Sequence, residues 1–381
     1  MKKKIYITAL HMRHGGIEMA ISLLSNALVK RDYEVNVLSV YNLGEPAYQL
    51  DERVKITYLT DVRPNKEAFL SARRERNFLK MLKEGMYSLK VLYLKRKAIK
   101  DAIQSIQEGI VISTRNEHSV ILSRYGKQDV YKIAQLHHDH EFKKKYLRDF
   151  ARRYQNIDIF VLLTELLRNE VEDIMRSHNS YTRCVAIPNF LDLTDVQNCF
   201  EHKEKTVIAV GRLHAVKGFE RLINIWKHVS EQCPDWKLKI IGGGELESAL
   251  LNQVKELGLE EKIEITGMLG HEAVMQEMCR GSLFVMTSYS EAFPFVLIEA
   301  MANGLPIVAF DVRVGPRAII DDGQNGFLIE DNNYEAFVQN VNMLLADQEK
   351  CFNMGKNAIL KAMCFSEEEV LKKWISILEQ K

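Results

Sequence analysis

The sequence predicts two consecutive α/β domains, each built on a parallel β-sheet. The chain has 381 residues, about two domains' worth. Apolar runs of strand length alternate with longer segments whose apolar residues recur at helical spacing, an order typical of parallel sheets covered by helices. The alternation occurs twice, and a polar, charged linker at residues 192–205 separates the two series. We therefore expect one domain over residues 1–191 and a second over residues 200–365.

The composition is that of an ordinary globular protein, with 46 % hydrophobic and 27 % charged residues. The basic start, Met1–Lys4, precedes only a short apolar run, so we expect no signal peptide. No apolar stretch approaches the roughly 20 residues that span a bilayer. The cysteines follow no metal-ligand or C-x-x-C spacing. We expect all six to be reduced, mostly buried thiols of a cytoplasmic protein, namely Cys184, Cys199, Cys233, Cys279, Cys351 and Cys364.

The first domain opens with a strand, a glycine turn and a helix. Lys4–Leu10 is an apolar strand, Ile17–Val29 has helical apolar spacing, and Gly15 and Gly16 stand between them. Paired glycines let the backbone approach a ligand at the start of a helix. Val35–Val40 is the next strand, so the opening is a βαβ unit with parallel strands.

The net charge of +1 conceals a basic first half, because residues 1–200 carry +9 and the remainder −8. In Lys66–Lys100, eleven basic residues stand against three acidic ones, and apolar residues recur at roughly helical spacing. Two interpretations stay open. The segment is either a solvated helical face packed on its own domain or a basic amphipathic surface that contacts anionic lipid headgroups. We expect no nucleic-acid partner, because no recognised nucleic-acid motif accompanies this charge.

Three histidines follow a strand of the first domain. Tyr131–Leu136 is the strand, and His137, His138 and His140 come directly after it. Their spacing fits no known zinc class and no cysteine is near, so we expect no metal site. The ends of strands in open α/β sheets are where ligands bind. The position therefore predicts a binding site.

The second domain places cationic side chains after its first strand. Thr206–Val210 precedes Arg212 and Lys217, with glycines close by. A guanidinium fork and an ammonium together neutralise a diphosphate that approaches the end of a strand. Leu238–Ile241 then leads into a second glycine turn at residues 242–244.

A further strand of this domain, Leu283–Met286, is followed by two glutamates. Glu291 enters the turn after the strand, and Glu299 lies about two helical turns on, within the predicted helix Val296–Asn303. The tight turn leaves backbone amides without internal partners, which suits a diphosphate. A carboxylate accepts two hydroxyl hydrogen bonds side by side. We therefore expect phosphates on the amides and sugar hydroxyls on the carboxylates.

This stretch closely resembles the EX7E region of family 4 glycosyltransferases, which are retaining, nucleotide-sugar-dependent enzymes of the GT-B fold. The resemblance rests on Glu291 and Glu299, on Ala300–Ala309 after them, and on Arg212 and Lys217. It extends over nearly the whole chain and is weakest at residues 42–110 and 141–155.

The resemblance implies two Rossmann-like domains that face each other across a cleft. It also implies that the C-terminal helix, residues 366–381, packs back on the first domain. One departure concerns Ala292 and Pro294, where many members carry glycine. Proline removes one amide donor, which leaves the individual phosphate contacts open.

The resemblance further implies a role for each motif residue. Arg212 and Lys217 would stabilise the leaving diphosphate, Glu299 would hold the ribose, and Glu291 would hold the sugar hydroxyls. His137 is the best match for the histidine that contacts the sugar from the first domain. The other implied donor-binding positions are Gly15, Gly16, Gly243, Met268, Phe293, Phe295, Val296 and Leu297. The alternatives to His137 are His138 and His140.

The implied reaction moves a hexosyl or N-acetylhexosaminyl group, with retention, from a nucleotide diphosphate sugar to a glycan, lipid-linked or surface-polymer acceptor. A UDP-sugar is the favoured donor. No Asp-x-Asp pair occurs in the chain, so we expect no metal and no other cofactor. The expected location is cytoplasmic, with peripheral attachment to the inner face of the cell membrane left open.

Three alternatives stay open at this point. The chain could be a non-catalytic GT-B subunit that serves a partner enzyme, or a glycosyltransferase with a protein acceptor. A nucleotide-sugar 2-epimerase shares the two-domain architecture, but the EX7E region, Arg212 and Lys217 argue against it.

Overall fold

A computed structural model of the chain describes residues 3–194, 199–201 and 203–380. They form two compact units, the first made of Met1–Ile187 with Trp374–Lys381 and the second of Pro188–Lys373. Each unit is built on one sheet whose named strand pairs are all parallel, as the sequence predicts. Within these residues no helix combines the length and apolarity that crossing a membrane requires.

The sheet of the first unit has seven strands. In chain order they are β1 (Lys4–Ala9), β2 (Glu34–Tyr41), β3 (Lys55–Thr60), β4 (Gly109–Ser113), β5 (Val130–Leu136), β6 (Ile159–Leu162) and β7 (Arg183–Ala186). Their order across the sheet is β3-β2-β1-β4-β5-β6-β7. The order therefore reverses between β1 and β4, and a crevice at such a reversal is where open α/β sheets bind ligands.

Six helices accompany these strands. They are α1 (Gly16–Lys30), α2 (Lys66–Arg74), α3 (Phe78–Ser105), α4 (Asn116–Tyr125), α5 (Lys144–Arg153) and α6 (Glu165–Met175). Every residue of β5 and of β6 is buried. Strand β6 is a continuous apolar run, as expected of a parallel strand covered on both faces, whereas β5 also buries the polar side chains of Lys132 and Gln135.

The sheet of the second unit has six strands. They are β8 (Thr206–Val210), β9 (Lys237–Ile241), β10 (Ile263–Ile265), β11 (Leu283–Met286), β12 (Ile307–Phe310) and β13 (Gly326–Ile329). Their order is β10-β9-β8-β11-β12-β13, which reverses between β8 and β11. The helices are α7 (Phe219–Gln232), α8 (Glu247–Glu256), α9 (His271–Arg280), α10 (Phe295–Ala302), α11 (Gly315–Ile319), α12 (Tyr334–Ala346), α13 (Gln348–Met363) and α14 (Glu367–Leu378).

The two units meet in sequence at residues 187 and 188, and again inside α14 between residues 373 and 374. The sequence placed these boundaries at 191 and 365. The difference has a local cause, because the Leu191 amide donates to the Phe365 carbonyl at 3.0 Å and the Glu367 amide donates to the Leu191 carbonyl at 2.9 Å. These bonds hold the start of α14 in the second unit. The predicted linker, residues 192–205, lies partly outside the described residues.

The prediction that all six cysteines are free thiols is wrong for two of them. Cys199 and Cys279 form a disulfide between the segment that precedes β8 and the end of α9. The two residues are 80 positions apart in the sequence. Only the fold brings them within bonding reach, and no local spacing indicates such a pair. The free cysteines are Cys184, Cys233, Cys351 and Cys364.

Candidate active site

Two loops at the reversal of strand order in the second sheet carry three predicted donor-binding residues. Strands β8 and β11 are adjacent and parallel, so the loops that follow them open on the same edge of the sheet. The loop after β8 carries Arg212 and Lys217, and the loop after β11 carries Glu291. Lys217 Nζ lies 2.5 Å from Glu291 Oε1.

The Lys217–Glu291 ion pair was not anticipated, because the sequence assigned the ammonium to a diphosphate and the carboxylate to a sugar. Ser288 Oγ donates to the same carboxylate oxygen at 2.7 Å. Arg212 differs from Lys217, since its side chain is exposed and makes no hydrogen bond or ion pair with another described residue. The edge of the sheet therefore presents one paired and one unpaired cation.

Glycines allow the loops of this edge to touch through bare backbone. Gly218 has φ +66°, and a Cβ at that position would lie 2.1 Å from the Thr287 carbonyl oxygen in the loop after β11. Gly242 has φ +151°, and a Cβ there would lie 1.9 Å from the Gly211 carbonyl oxygen in the loop after β8. Both positions need glycine on grounds of conformation and of space.

Arg221, which the sequence analysis did not single out, fixes the loop after β11. Its Nε donates to the Thr287 carbonyl and its Nη2 to the Ser288 carbonyl, each at 2.6 Å. Its Nη1 lies 2.7 Å from Asp331 Oδ1, and the side chain is 2 % exposed. A buried guanidinium satisfied by two carbonyls and a carboxylate holds a loop rigidly. The available sequence signal was an arginine among the apolar residues of α7.

Helix α10 begins at the candidate phosphate site, and most of its first side chains point into the core. Phe293, Phe295 and Leu297 are buried, so a donor can contact them only through the backbone. The Leu297 amide already donates to the Pro294 carbonyl at 3.2 Å. The amides of Phe295 and Val296 open the helix and have no intrahelical acceptor.

Glu299, one turn further along α10, is a buried carboxyl group. Its side chain is 12 % exposed, and burial raises its pKa to about 7. His271, at the start of α9, has its Nδ1 3.8 Å from Glu299 Oε1. In the adjoining turns Met268 is exposed and lies against Gly243, where a Cβ would be 3.3 Å from the Met268 Cβ.

In the first unit the three histidines after β5 have different environments. His138 Nε2 lies 2.6 Å from the Tyr146 hydroxyl, and His140 Nε2 lies 3.1 Å from Glu170 Oε2. Both ring nitrogens of His137 are buried without a hydrogen-bond partner among the described residues. Burial, helped by neighbouring positive charge, lowers the pKa of His137 to about 3, so the ring is neutral near pH 7. Of the three, His137 alone has neither ring nitrogen engaged by another described residue.

The carboxylate of Glu18 lies against the glycine turn after β1. A Cβ at Gly15 would lie 2.1 Å from Glu18 Oε2. Glu18 Oε1 lies 3.4 Å from Arg115 Nη2 and 3.5 Å from His11 Nδ1. A donor phosphate could take the predicted place beside Gly15 and Gly16 only if this carboxylate moved aside.

Comparison with known proteins places this geometry among sugar-transferring enzymes. Residues 193–361 match the family model of glycosyl transferases group 1. The chain is 27 % identical over 367 residues to an uncharacterized glycosyltransferase of Haemophilus influenzae, covering 96 % of each chain. It is 29 % identical over 377 residues to the amylovoran biosynthesis glycosyltransferase AmsD of Erwinia amylovora, again covering 96 % of each. Sequence similarity therefore links the chain to glycosyltransferases.

The fold of the chain is GT-B. A crystal structure of an S. aureus TarM mutant, in complex with fondaparinux, α-GlcNAc-glycerol and UDP, superposes with a TM-score of 0.76 at 16 % identity. The superposition covers 99 % of this chain and 100 % of that one. The region that matches the family model contains Arg212, Lys217, Glu291 and Glu299, whereas His137 lies outside it.

Proposed function

We propose that this protein is a glycosyltransferase that moves a hexosyl or N-acetylhexosaminyl group, with retention, from a nucleotide diphosphate sugar to a glycan, lipid-linked or surface-polymer acceptor. A UDP-sugar is the favoured donor, in keeping with the UDP bound to the TarM mutant. The observation that carries the proposal is the Lys217–Glu291 ion pair at the reversal of the second sheet, with Arg212, which has no side-chain partner among the described residues, in the same loop as Lys217. The AmsD relative acts in amylovoran biosynthesis, which favours a glycan acceptor.

In the proposed reaction, Arg212 and Lys217 stabilise the negative charge that develops on the leaving diphosphate. As the bond between the anomeric carbon and the diphosphate breaks, the electron pair stays with the diphosphate oxygen and negative charge grows there. Arg212 is free to bind that charge directly, and Lys217 reaches it once the diphosphate competes with Glu291. Preorganised cations aimed at developing charge are usually the largest single contribution to such catalysis.

The acceptor's oxygen then bonds to the anomeric carbon, and the proton of its hydroxyl group leaves with the diphosphate. His137, neutral near pH 7, offers one N–H donor and one acceptor nitrogen to sugar hydroxyls. We propose that it steadies the sugar while Glu291 binds the hydroxyl groups. Because Arg212 and Lys217 provide positive charge, we also propose that transfer needs no metal ion.

A direct test incubates the purified chain with UDP- and GDP-sugars and candidate acceptors, and follows product by mass spectrometry. We expect a new glycosidic bond whose anomeric configuration, read from NMR coupling constants, matches that of the donor. Arg212→Ala should lower transfer, whereas Arg280→Ala, which removes an exposed arginine at the end of α9, should not. An epimerised free nucleotide sugar would identify an epimerase instead. Turnover that appears only with a second protein would identify a partner-dependent subunit.

The proposal extends to attachment at the inner face of the cell membrane, through helix α3. Only Val91, Ile99 and Ile103 of its described residues are buried. Large apolar side chains are exposed on the rest of the helix, namely Phe78, Leu79, Leu82, Met86, Tyr87, Leu89, Leu92 and Tyr93. Five of them, Phe78, Leu82, Met86, Leu89 and Tyr93, recur every three or four residues and so form one stripe along the helix.

Basic residues border this stripe. Lys83, Lys90, Arg96 and Lys97 are exposed and have no acidic partner among the described residues. An apolar stripe with cations beside it matches a bilayer surface, where apolar side chains enter the headgroup boundary and cations meet anionic lipids. Each such cation contributes up to about 1 kcal/mol near an anionic leaflet. The charge of the surface thus favours anionic lipid over a neutral protein partner.

Sedimentation with lipid vesicles tests the attachment. We expect the protein to sediment with phosphatidylglycerol-containing vesicles at low salt, to be released at high salt, and to stay in solution with neutral vesicles. Leu89→Glu should weaken sedimentation, whereas Leu360→Glu on α13 should not, although both leucines are 69 % exposed. Equal recovery in the supernatant under all conditions would leave the stripe as a protein-docking surface.

A further inference from the structure

We propose that the second unit holds a binding site for a small organic anion with an aromatic or apolar body, at the edge of the sheet opposite the candidate donor site. The site is a cavity of about 240 Å³, lined by the half-buried Lys203, by aromatic side chains and by the buried thiol of Cys351. None of its lining residues has been assigned to the donor. The proposal therefore stands apart from the proposed reaction.

The cavity lies at the amino ends of the strands. Lys205, Trp236 and Ser282 line it, and they stand directly before β8, β9 and β11. Arg212 and Glu291 instead follow the carboxyl ends of β8 and β11. Strands of four or five residues, at about 3.3 Å per residue, put roughly 15 Å between the two edges. A ligand in the cavity therefore does not occupy the donor site.

Lys203 brings a positive charge to this cavity. Its Nζ donates to the Asn303 carbonyl at 2.9 Å, and no carboxylate among the described residues pairs with it. An ammonium group has three N–H donors, so two remain for a ligand or solvent. Burial lowers the pKa of Lys203 to about 8, which leaves the group largely charged at pH 7. A partly desolvated cation that meets a neutral carbonyl favours an anionic ligand.

The other charged groups around the cavity leave this charge in place. Lys205 Nζ is paired with Asp235 Oδ2 at 3.1 Å. Glu204 is the acidic residue among the described residues that line the cavity, and it is exposed. Lys356 adds a further cation, with Nζ 4.3 Å from the centroid of the Phe352 ring in the cavity wall. The surroundings are therefore cationic on balance.

Aromatic and aliphatic side chains form the rest of the wall. The rings of Phe200 and Phe352 pack edge to face with centroids 4.8 Å apart, and Trp236 and Leu344 are buried. A Cβ at Gly304 would lie 2.9 Å from Phe200 Cζ, so this ring rests against the backbone after α10. An apolar cavity of about 150 Å³ accommodates benzene. The larger volume here suits an aromatic carboxylate whose charged group meets the ammonium.

The test is calorimetry of the purified full chain with 1-naphthoate and with its neutral isostere 1-naphthamide. We expect 1-naphthoate to bind at least about tenfold more tightly, the effect of one charged hydrogen bond. Lys203→Met should weaken 1-naphthoate binding about tenfold and leave 1-naphthamide binding unchanged. Lys262→Met is the matched control, because Lys262 Nζ also donates to a backbone carbonyl, that of Pro234 at 2.6 Å, but does not line the cavity. It should change neither affinity.

Cys351→Phe, which places a ring inside the cavity, should abolish binding of both probes. Equal affinity for the two probes, no binding of 1-naphthoate at millimolar concentration, or unchanged 1-naphthoate binding in Lys203→Met would overturn the proposal. Displacement of 1-naphthoate by saturating UDP would place the probe in the candidate donor site and would overturn it as well. If Lys203→Met failed to fold, the preference of the unmodified protein between the two probes would still decide.

Discussion

The ion pair between Lys217 and Glu291 joins two side chains that a bound donor would need separately. Without a ligand each neutralises the other at a distance of 2.5 Å, and the unpaired Arg212 remains beside them. We propose that an incoming diphosphate replaces Glu291 as the anionic partner of Lys217, so the ammonium is never left without a counter-charge. The carboxylate that it releases then becomes available to sugar hydroxyls. At the scale of single residues, donor binding is thus an exchange of partners.

This exchange predicts opposite behaviour for the two members of the pair. Lys217→Met should weaken UDP binding by about 1.5–3 kcal/mol, the value of a charged hydrogen bond, which is roughly tenfold to a hundredfold in Kd. Glu291→Gln should leave UDP binding equal or tighter, because the ammonium no longer has a competing partner, and should lower transfer from a UDP-sugar. Calorimetry and a transfer assay measure both, with Lys227→Met on the exposed face of α7 as the control. Equal losses of UDP affinity in the two variants would refute the exchange.

At the scale of elements, the segment before β8 and helix α9 are joined by the Cys199–Cys279 disulfide. The joined elements adjoin α10, because Asn303, at the end of that helix, has its Oδ1 3.5 Å from Cys199 Sγ. The Asn303 carbonyl also accepts a hydrogen bond from Lys203 Nζ at 2.9 Å. A covalent link at this place restricts the unfolded chain over an 80-residue separation and holds the end of α10 in place.

We expect loss of this disulfide to lower the free energy of unfolding of the second unit by about 2–4 kcal/mol, chiefly because the unfolded chain gains freedom. Denaturant titration with and without a dithiol reductant measures the change, and the double variant Cys199→Ser with Cys279→Ser should behave like the reduced protein. Cys364→Ser, at an exposed free thiol, is the control. Titration of six free thiols in freshly purified, unreduced protein would contradict the bond. It would agree instead with a reducing compartment, where disulfides are rare.

At the scale of the whole molecule, the candidate donor-binding groups are divided between two units with separate sheets. The second unit holds Arg212, Lys217, Glu291 and Glu299, and the first unit holds His137. The proposed function gives the diphosphate and ribose to the second unit and a sugar contact to the first. The nucleotide and the sugar should therefore protect different segments of the chain from hydrogen exchange.

Hydrogen exchange measured by mass spectrometry can distinguish the segments protected by the nucleotide from those protected by the sugar. UDP should slow exchange in the loops after β8 and β11 and in the first turn of α10, with little effect on the first unit. A UDP-sugar should add protection after β5, around His137, and His137→Ala should abolish that addition while leaving the UDP effect intact. Full protection after β5 by UDP alone would show that His137 responds to the nucleotide and would remove its assignment to the sugar.

Much of the fold could be predicted from the sequence because its signals are local. Apolar runs of strand length, helical periodicity and glycine turns depend on neighbouring residues, and they gave the two parallel sheets and the strand-end positions of Arg212, Lys217 and Glu291. The cysteine prediction failed for the opposite reason. A bond between Cys199 and Cys279 depends on residues far apart in the chain, and so do the contacts that hold the start of α14 in the second unit.

The sequence by itself determined which residue types stand at the ends of which strands, because strand and turn formation depend on short stretches of neighbouring residues. Only the tertiary structure decided what each of those groups meets. It paired Lys217 with Glu291, left both nitrogens of His137 without partners among the described residues, set Glu18 against Gly15, and buried Glu299 near His271. It also brought Arg221 under the loop after β11. Charge, protonation and hydrogen bonding depend on distances of a few ångströms between residues remote in sequence, and the three-dimensional packing fixes those distances.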